Sequence, residues 1–138
     1  MNKSPRLAHA SFIITGDGVV PDFWTSYFGV QPAIAVRKGD PIRRARGTVT
    51  AQRRTGVWGV SSESAVASDQ LSPHLRYLKS SLGLPRADLR ALVEQAGAKM
   101  RFFCFWVNDS GDRIPDVPPD IQSMMDALGG TIEIDEYQ

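Results

Sequence analysis

The pattern of apolar and polar positions repeats one plan at the two ends of the chain: strand, helix, glycine, strand. Near the N-terminus the three elements fall at residues 8–14, 21–28 and 33–36. Near the C-terminus they fall at residues 100–107, 118–128 and 131–134. Both helices begin at proline, which suits a first helical turn, and both end at glycine, which suits a left-handed cap. We expect two pseudo-repeated β-α-β units, side by side in one sheet with right-handed crossovers and a pseudo-twofold relation.

The middle of the chain predicts a hairpin and two helices. Short apolar runs at residues 48–51 and 57–60 predict strands joined through the loop Arg53-Arg54-Thr55-Gly56. The following helix is expected to use Ser72 as its N-cap, with Pro73 at the first helical position. Its apolar stripe comprises Leu71, Leu75, Leu78 and Leu82.

These elements predict one domain over residues 1–138, of the α+β class. We expect a mostly antiparallel sheet of five or six strands, with helices mainly on one face. Residues 100–107 are apolar on both faces: Phe103 and Phe105 alternate with Phe102 and Cys104. Helices on one side would leave three large apolar side chains exposed, so the pattern also favours a homodimer.

Composition narrows the class of protein. The 138 residues are 42% hydrophobic and 22% charged, as is typical of a globular domain. No apolar run is long enough for a transmembrane helix, and no apolar signal segment follows the N-terminus, so no membrane association is expected. The single cysteine, Cys104, cannot form an internal disulfide, which fits a cytoplasmic location.

Charge is distributed unevenly although the net charge is only +1. Residues 37–54 hold seven basic side chains and one acid, Asp40, whereas residues 109–138 hold eight acids and one base, Arg113. Such asymmetry bears on the choice of partner more than on the fold. One candidate contact patch is basic and comprises Arg43, Arg44, Arg46, Arg53 and Arg54. The rival patch is acidic and comprises Asp109, Asp112, Asp116 and Asp120.

Catalytic and cofactor motifs are not evident. His9 and His74 have no histidine or cysteine neighbour at ligand spacing, so no metal site is predicted. Cys104 lies in the most apolar strand, which favours a core role over a nucleophilic one. Gly16-Asp17-Gly18 lacks the third glycine of a dinucleotide-binding fingerprint. We predict no catalytic residue and no cofactor, and we lean toward a non-enzymatic protein.

Several short motifs along nearly the whole chain carry a family resemblance. They are Phe28-Gly29-Val30-Gln31-Pro32, Lys38-Gly39-Asp40, Gly56-Val57-Trp58, Ser72-Pro73-His74-Leu75, Ala127-Leu128-Gly129-Gly130 and Ile132-Glu133-Ile134-Asp135-Glu136-Tyr137. In this order and spacing the chain resembles domain-of-unknown-function family 4279, a family of small, mostly bacterial proteins. The resemblance implies no particular reaction, cofactor or catalytic residue. It does imply similarity to small proteins found near bacterial toxin and immunity genes.

Three functions stay open from the sequence. The leading hypothesis is a non-enzymatic binding protein, an immunity-type inhibitor of a bacterial toxin partner, because segregated charge favours fast and specific association. The second is a nucleic-acid-binding module that uses the basic hairpin at residues 37–54. The third is a small-ligand binder or enzyme in the cleft between the repeat units, lined by Trp24, Tyr27, Trp58 and His74.

Overall fold

The fold is described from a computed structural model, which covers residues 7–43 and 49–138. Its strands are β1 (Ala8–Gly16), β2 (Ile34–Val36), β3 (Pro41–Arg43), β4 (Val49–Gln52), β5 (Gly56–Ser61), β6 (Lys99–Val107) and β7 (Thr131–Tyr137). Its helices are α1 (Pro21–Phe28), α2 (Leu71–Leu82), α3 (Leu89–Gln95) and α4 (Pro119–Leu128).

The main sheet has five strands in the order β2-β5-β1-β6-β7. Its pairs are antiparallel except β6 and β7, which run parallel. The prediction of an α+β fold with a mostly antiparallel sheet is therefore confirmed. β3 and β4 form a separate two-stranded sheet.

The predicted hairpin between residues 48–51 and 57–60 is wrong. β4 pairs with β3, and β5 instead enters the main sheet between β1 and β2. Both faces of β5 carry residues of low exposure, such as Trp58 and Gly59. Because neither face needs solvent, this strand suits the interior of the larger sheet. The loop with Arg53 and Arg54 therefore connects two sheets, and the strand that pairs with β4 is β3.

The two β-α-β segments differ in their strand pairing. β5 lies between the two strands of the first segment, which run in the same direction, whereas the two strands of the second segment are adjacent. The pseudo-twofold relation and the right-handed crossovers remain predictions.

The helices pack on one face of the main sheet. That face carries Phe12 and Ile14 from β1, with Phe102, Cys104 and Trp106 from β6, and all five are buried. They join the apolar sides of all four helices in one core. The alternate residues of β1 and β6 point away from the helices and are half-buried or exposed, which is the pattern of a sheet covered on one side.

Residues next to α1 in the sequence set both of its ends, whereas the start of α2 is capped by the distant Asp116. Pro21 opens α1, and Gly29 ends it with a left-handed φ of 69°, as the sequence predicts. Helix α2 begins at Leu71, and Ser72 is inside it, so the prediction that Ser72 is the N-cap is wrong.

Within the described residues, none of the helices combines the length and apolar character needed to cross a bilayer.

Candidate functional site

The basic hairpin, residues 37–54, is only partly described. Its ladder pairs Ile42 with Ala51, and two backbone bonds extend it beyond the strands: Gly39 N–H donates to the Arg53 carbonyl and Arg53 N–H to the Asp40 carbonyl, each at 2.8 Å. Of the predicted basic patch, Arg44, Arg46 and the side chain of Arg43 lie outside the described residues. Arg53 and Arg54 are described and follow β4 directly.

Little negative charge within the described residues offsets this hairpin. Its one acid, Asp40, accepts the backbone N–H of Arg37 at 2.7 Å and so stabilises a turn. Lys38 Nζ lies 3.0 Å from Asp17 Oδ2, and this hydrogen-bonded ion pair holds the pKa of the Asp17 carboxyl below its ordinary value. No described carboxylate lies within ion-pair distance of Arg37, Arg53 or Arg54, so these three arginines have no described acidic partner.

The acidic patch is divided between structural and exposed residues. Asp116 accepts the backbone N–H groups of Leu71 at 2.7 Å and Ser72 at 3.0 Å. It therefore caps α2 from 45 residues away in sequence, where the helix N-terminus favours a negative charge. No signal next to α2 in the sequence identifies this cap.

The other three acidic residues lie on the surface. Asp120 forms two hydrogen bonds with Arg76, at 3.1 and 3.2 Å, and these bonds hold the pKa of its carboxyl below the ordinary value. Lys79 Nζ lies 3.7 Å from the same carboxylate. Asp109 and Asp112 are exposed, and Asp112 accepts the Ser110 hydroxyl. Of these three residues, Asp109 and Asp112 have no described basic partner.

A buried serine–histidine pair holds the loop between β5 and α2. His74 Nε2 lies 2.7 Å from the Ser68 carbonyl, so a neutral ring carries its proton there and donates. Nδ1 then accepts the Ser62 hydroxyl at 2.6 Å, and Ser62 Oγ accepts the Ala10 N–H at 2.9 Å. Both side chains have no exposed surface, so the pair is closed to substrate and stabilises the fold.

The other candidate chemical groups lie mainly in the core. Trp58 is fully buried, and its indole N–H donates to Thr25 Oγ1 at 3.0 Å. Trp24 is also buried, while the hydroxyl of Tyr27 donates to Asp88. Cys104 is fully buried, and burial raises the pKa of its thiol to about 12. In the described part of the chain, no group of three or more potential ligands could hold a metal ion.

The sheet surface that points away from the helices is the larger candidate for contact. We call it the open sheet face; its members include Ile13, Arg101, Phe103, Phe105, Val107 and Tyr137. Each is half-buried or exposed, although most are apolar. Its ring contacts include His9 stacked on Phe105 at a centroid distance of 4.6 Å.

Comparison with known proteins yields one family. The family model described as domain of unknown function (DUF4279) matches residues 6–138, which is essentially the whole chain. Neither the curated proteins nor the solved structures contain a significant match.

Proposed function

The chain belongs to the DUF4279 family, and we propose that it is a non-enzymatic binding protein whose basic hairpin contacts an acidic surface of another protein. The proposal includes an inhibitory role of the immunity type, in which binding occludes a toxin partner. The observation that carries it is the charge of residues 37–54: seven basic side chains, and one acid that is engaged in a backbone turn.

The described arrangement favours the basic patch over the acidic one as the contact. Asp116 and Asp120 already serve the fold, by capping α2 and by pairing with Arg76. Arg53 and Arg54 have no comparable described acidic partner. Opposite surface potentials accelerate association and suppress unsuitable partners, which is what an inhibitor that must act quickly requires.

The buried state of the candidate catalytic groups supports a binding role. Ser62 and His74 are within hydrogen-bonding distance, but neither side chain reaches solvent. Cys104 is equally enclosed, and its raised pKa keeps it in the thiol form. These groups therefore offer no accessible nucleophile to a substrate.

The test is affinity capture from the native host with three immobilised proteins: the unmodified chain, Arg53→Gln/Arg54→Gln, and Arg90→Gln as a control. Arg90 is an exposed arginine of α3. We expect the unmodified chain and the control to retain one acidic protein in common, and the double variant to bind it about tenfold more weakly, chiefly through slower association. Equal binding by all three proteins, or no bound protein at low and moderate salt, contradicts the proposal.

Nucleic acid is the principal competing ligand, because arginines also bind phosphates and a two-stranded ribbon can enter a major groove. Fluorescence anisotropy with mixed-sequence single- and double-stranded probes separates the two. We expect no saturable binding at low salt. Tight binding that weakens steeply with salt and is lost in Arg53→Gln/Arg54→Gln would assign the hairpin to nucleic acid instead.

A further inference from the structure

The centre of the open sheet face is apolar and is left uncovered by the described helices. Phe103, Phe105 and Val107 point outward from β6, and Tyr137 extends the same surface on β7. The rings of Phe105 and Tyr137 are 5.0 Å apart, so they form a continuous aromatic surface. A contiguous apolar patch of this kind marks an interaction site more often than an ordinary monomer surface.

The two ends of this face differ in shape. At the end where β6 begins, an open cavity of about 700 Å³ is lined by Thr15, Lys99, Arg101, Gly129, Thr131 and Glu133. At the opposite end, where β6 and β7 finish, the Tyr137 side chain is 49% exposed, and its hydroxyl donates to Asp135 at 2.7 Å. One end is hollow and the other carries a half-exposed aromatic ring.

The two ends also differ in charge. Lys99 and Arg101 lie at the hollow end, together with one acid, Glu133, which is paired with Arg101. At the opposite end Asp135 is paired in register with Phe105, and Glu63 lies 3.8 Å from His9, which pairs with the same phenylalanine. Lys99 and Phe105 are six residues apart on one strand, or roughly 20 Å. Lys99 and Asp135 therefore do not meet within one chain.

We propose that the open sheet face binds the same face of a second copy of this chain, through a twofold axis that crosses the strands near Phe103. Phe103 lies midway along β6 between Lys99 and Val107. Rotation about that axis reverses the strand direction, so the Tyr137 ring of one protomer enters the hollow of its partner. The same rotation brings Asp135 near the partner's Arg101 and Lys99.

The charges select this axis over the alternative. A twofold axis parallel to the strands would place the two basic ends at the same level, with Lys99 facing the basic end of its partner. The crossing axis places opposite charges together. Glu133 is in register with Phe103, close to the axis, but its carboxylate lies 3.1 Å from Arg101 Nη1, which offsets repulsion between the two copies.

The area of the face suits a stable dimer. Five strands spaced about 4.8 Å apart, with an average length of about seven residues at 3.3 Å, give a projected area of roughly 500 Å². Side chains that stand off the sheet raise the accessible area above its projection. Small stable interfaces bury about 600–1,000 Å² on each partner, so the face is large enough. Two such sheets would pack about 10 Å apart, as in a β-sandwich.

The first test is the solution mass of the full chain by sedimentation equilibrium between low and high micromolar concentration. We expect twice the chain mass of 15.2 kDa for the unmodified protein. Phe103→Ser/Phe105→Ser should be monomeric while retaining the circular dichroism of the unmodified protein, because both side chains point away from the helix-covered core.

Charge reversal tests the axis even if the phenylalanine variant fails to fold. Lys99→Glu alone and Asp135→Lys alone should each weaken dimerisation by about tenfold or more, because each places like charges together twice per dimer. The combination Lys99→Glu/Asp135→Lys should restore the affinity of the unmodified protein to within about threefold. That recovery is not expected of substitutions that merely damage the sheet.

Three results would overturn the proposal. They are a monomeric unmodified protein at high micromolar concentration, a phenylalanine variant that stays dimeric, and single and double charge variants with additive losses. The first would leave the face to another occupant, the second would place the interface elsewhere, and the third would reject the crossing axis. None of the residues named for this face belongs to the basic hairpin, so these results leave the proposed function to its own test.

Discussion

Replacing Asp116 with alanine should destabilise the protein through α2 rather than through any partner. The carboxylate accepts two backbone N–H groups at the start of that helix, at 2.7 and 3.0 Å, and it is half-buried. Neither group has an acceptor within the helix, because the first N–H groups of any helix lack one. The Gln70 side chain at the N-cap position supplies no capping bond.

The expected loss follows from these two bonds. Removing a side-chain cap costs about 0.5–2 kcal/mol, and a hydrogen bond to a charged group contributes about 1.5–3 kcal/mol. For a half-buried carboxylate on a helix N-terminus we expect Asp116→Ala to lower the free energy of unfolding by about 2 kcal/mol. Asp116→Asn keeps one acceptor oxygen and should lose about half as much.

Urea denaturation measures this loss. A slope of about 2 kcal/mol/M, typical of a small domain, converts 2 kcal/mol into a midpoint about 1 M lower, with the slope unchanged. Asp109→Ala is the matched control, because Asp109 is exposed and has no described basic partner; its change should stay within about 0.5 kcal/mol. Equal midpoints for Asp116→Ala and Asp109→Ala would refute the capping role and return Asp116 to the candidate partner surface.

Two further predictions concern buried groups. Ser62→Ala should lower the free energy of unfolding by about 2–4 kcal/mol in thermal or urea denaturation, because it leaves His74 Nδ1 buried without its donor and the Ala10 N–H buried without its acceptor. A loss under 0.5 kcal/mol would contradict the hydrogen-bond assignment. Cys104 keeps its proton to a pKa of about 12 when folded, whereas an unfolded thiol loses it above about 8.5. The stability of the unmodified protein relative to Cys104→Ala should therefore be constant below pH 8 and fall as the pH rises from about 9 toward 12, and a rise over that range would contradict the burial.

Elements with local signals could be predicted from the sequence. Pro21 begins α1 because proline suits the first helical turn. Gly29 ends it because glycine readily adopts the left-handed conformation of a C-terminal cap. The alternation in β1 and the doubly apolar β6 likewise identify two strands of the sheet interior. In each case residues within the element, or directly beside it, supply the physical cause.

Features that depend on distant residues could not be predicted. β4 pairs with β3, although β5 is the more apolar of its two neighbours in the chain, because β5 is paired with β1 and β2 in the main sheet. The start of α2 was missed because its cap, Asp116, is 45 residues away. Distance in sequence also hid the roles of the acidic residues. The sequence groups them into one patch, but it does not predict that Asp116 caps α2 or that Asp120 pairs with Arg76.

The apolar character of β6 was evident in the sequence, whereas the identity of its uncovered side was not. Alternation assigns Phe103 and Phe105 to one face and Phe102 and Cys104 to the other, but both sets are equally apolar. Only the packing of the helices on Phe102 and Cys104 leaves Phe103 and Phe105 accessible. The strand pattern therefore predicts that β6 has two apolar faces, but only the tertiary packing determines which of them is the open sheet face.

The most direct test of the proposed binding role is the ratio of one host protein retained by the unmodified chain to that retained by Arg53→Gln/Arg54→Gln, measured in nuclease-treated extract. Nuclease treatment removes indirect capture through nucleic acid. The account predicts a single acidic protein, retained about tenfold better by the unmodified chain and equally well by the Arg90→Gln control. A ratio near one, or retention that disappears with the nucleic acid, would contradict it.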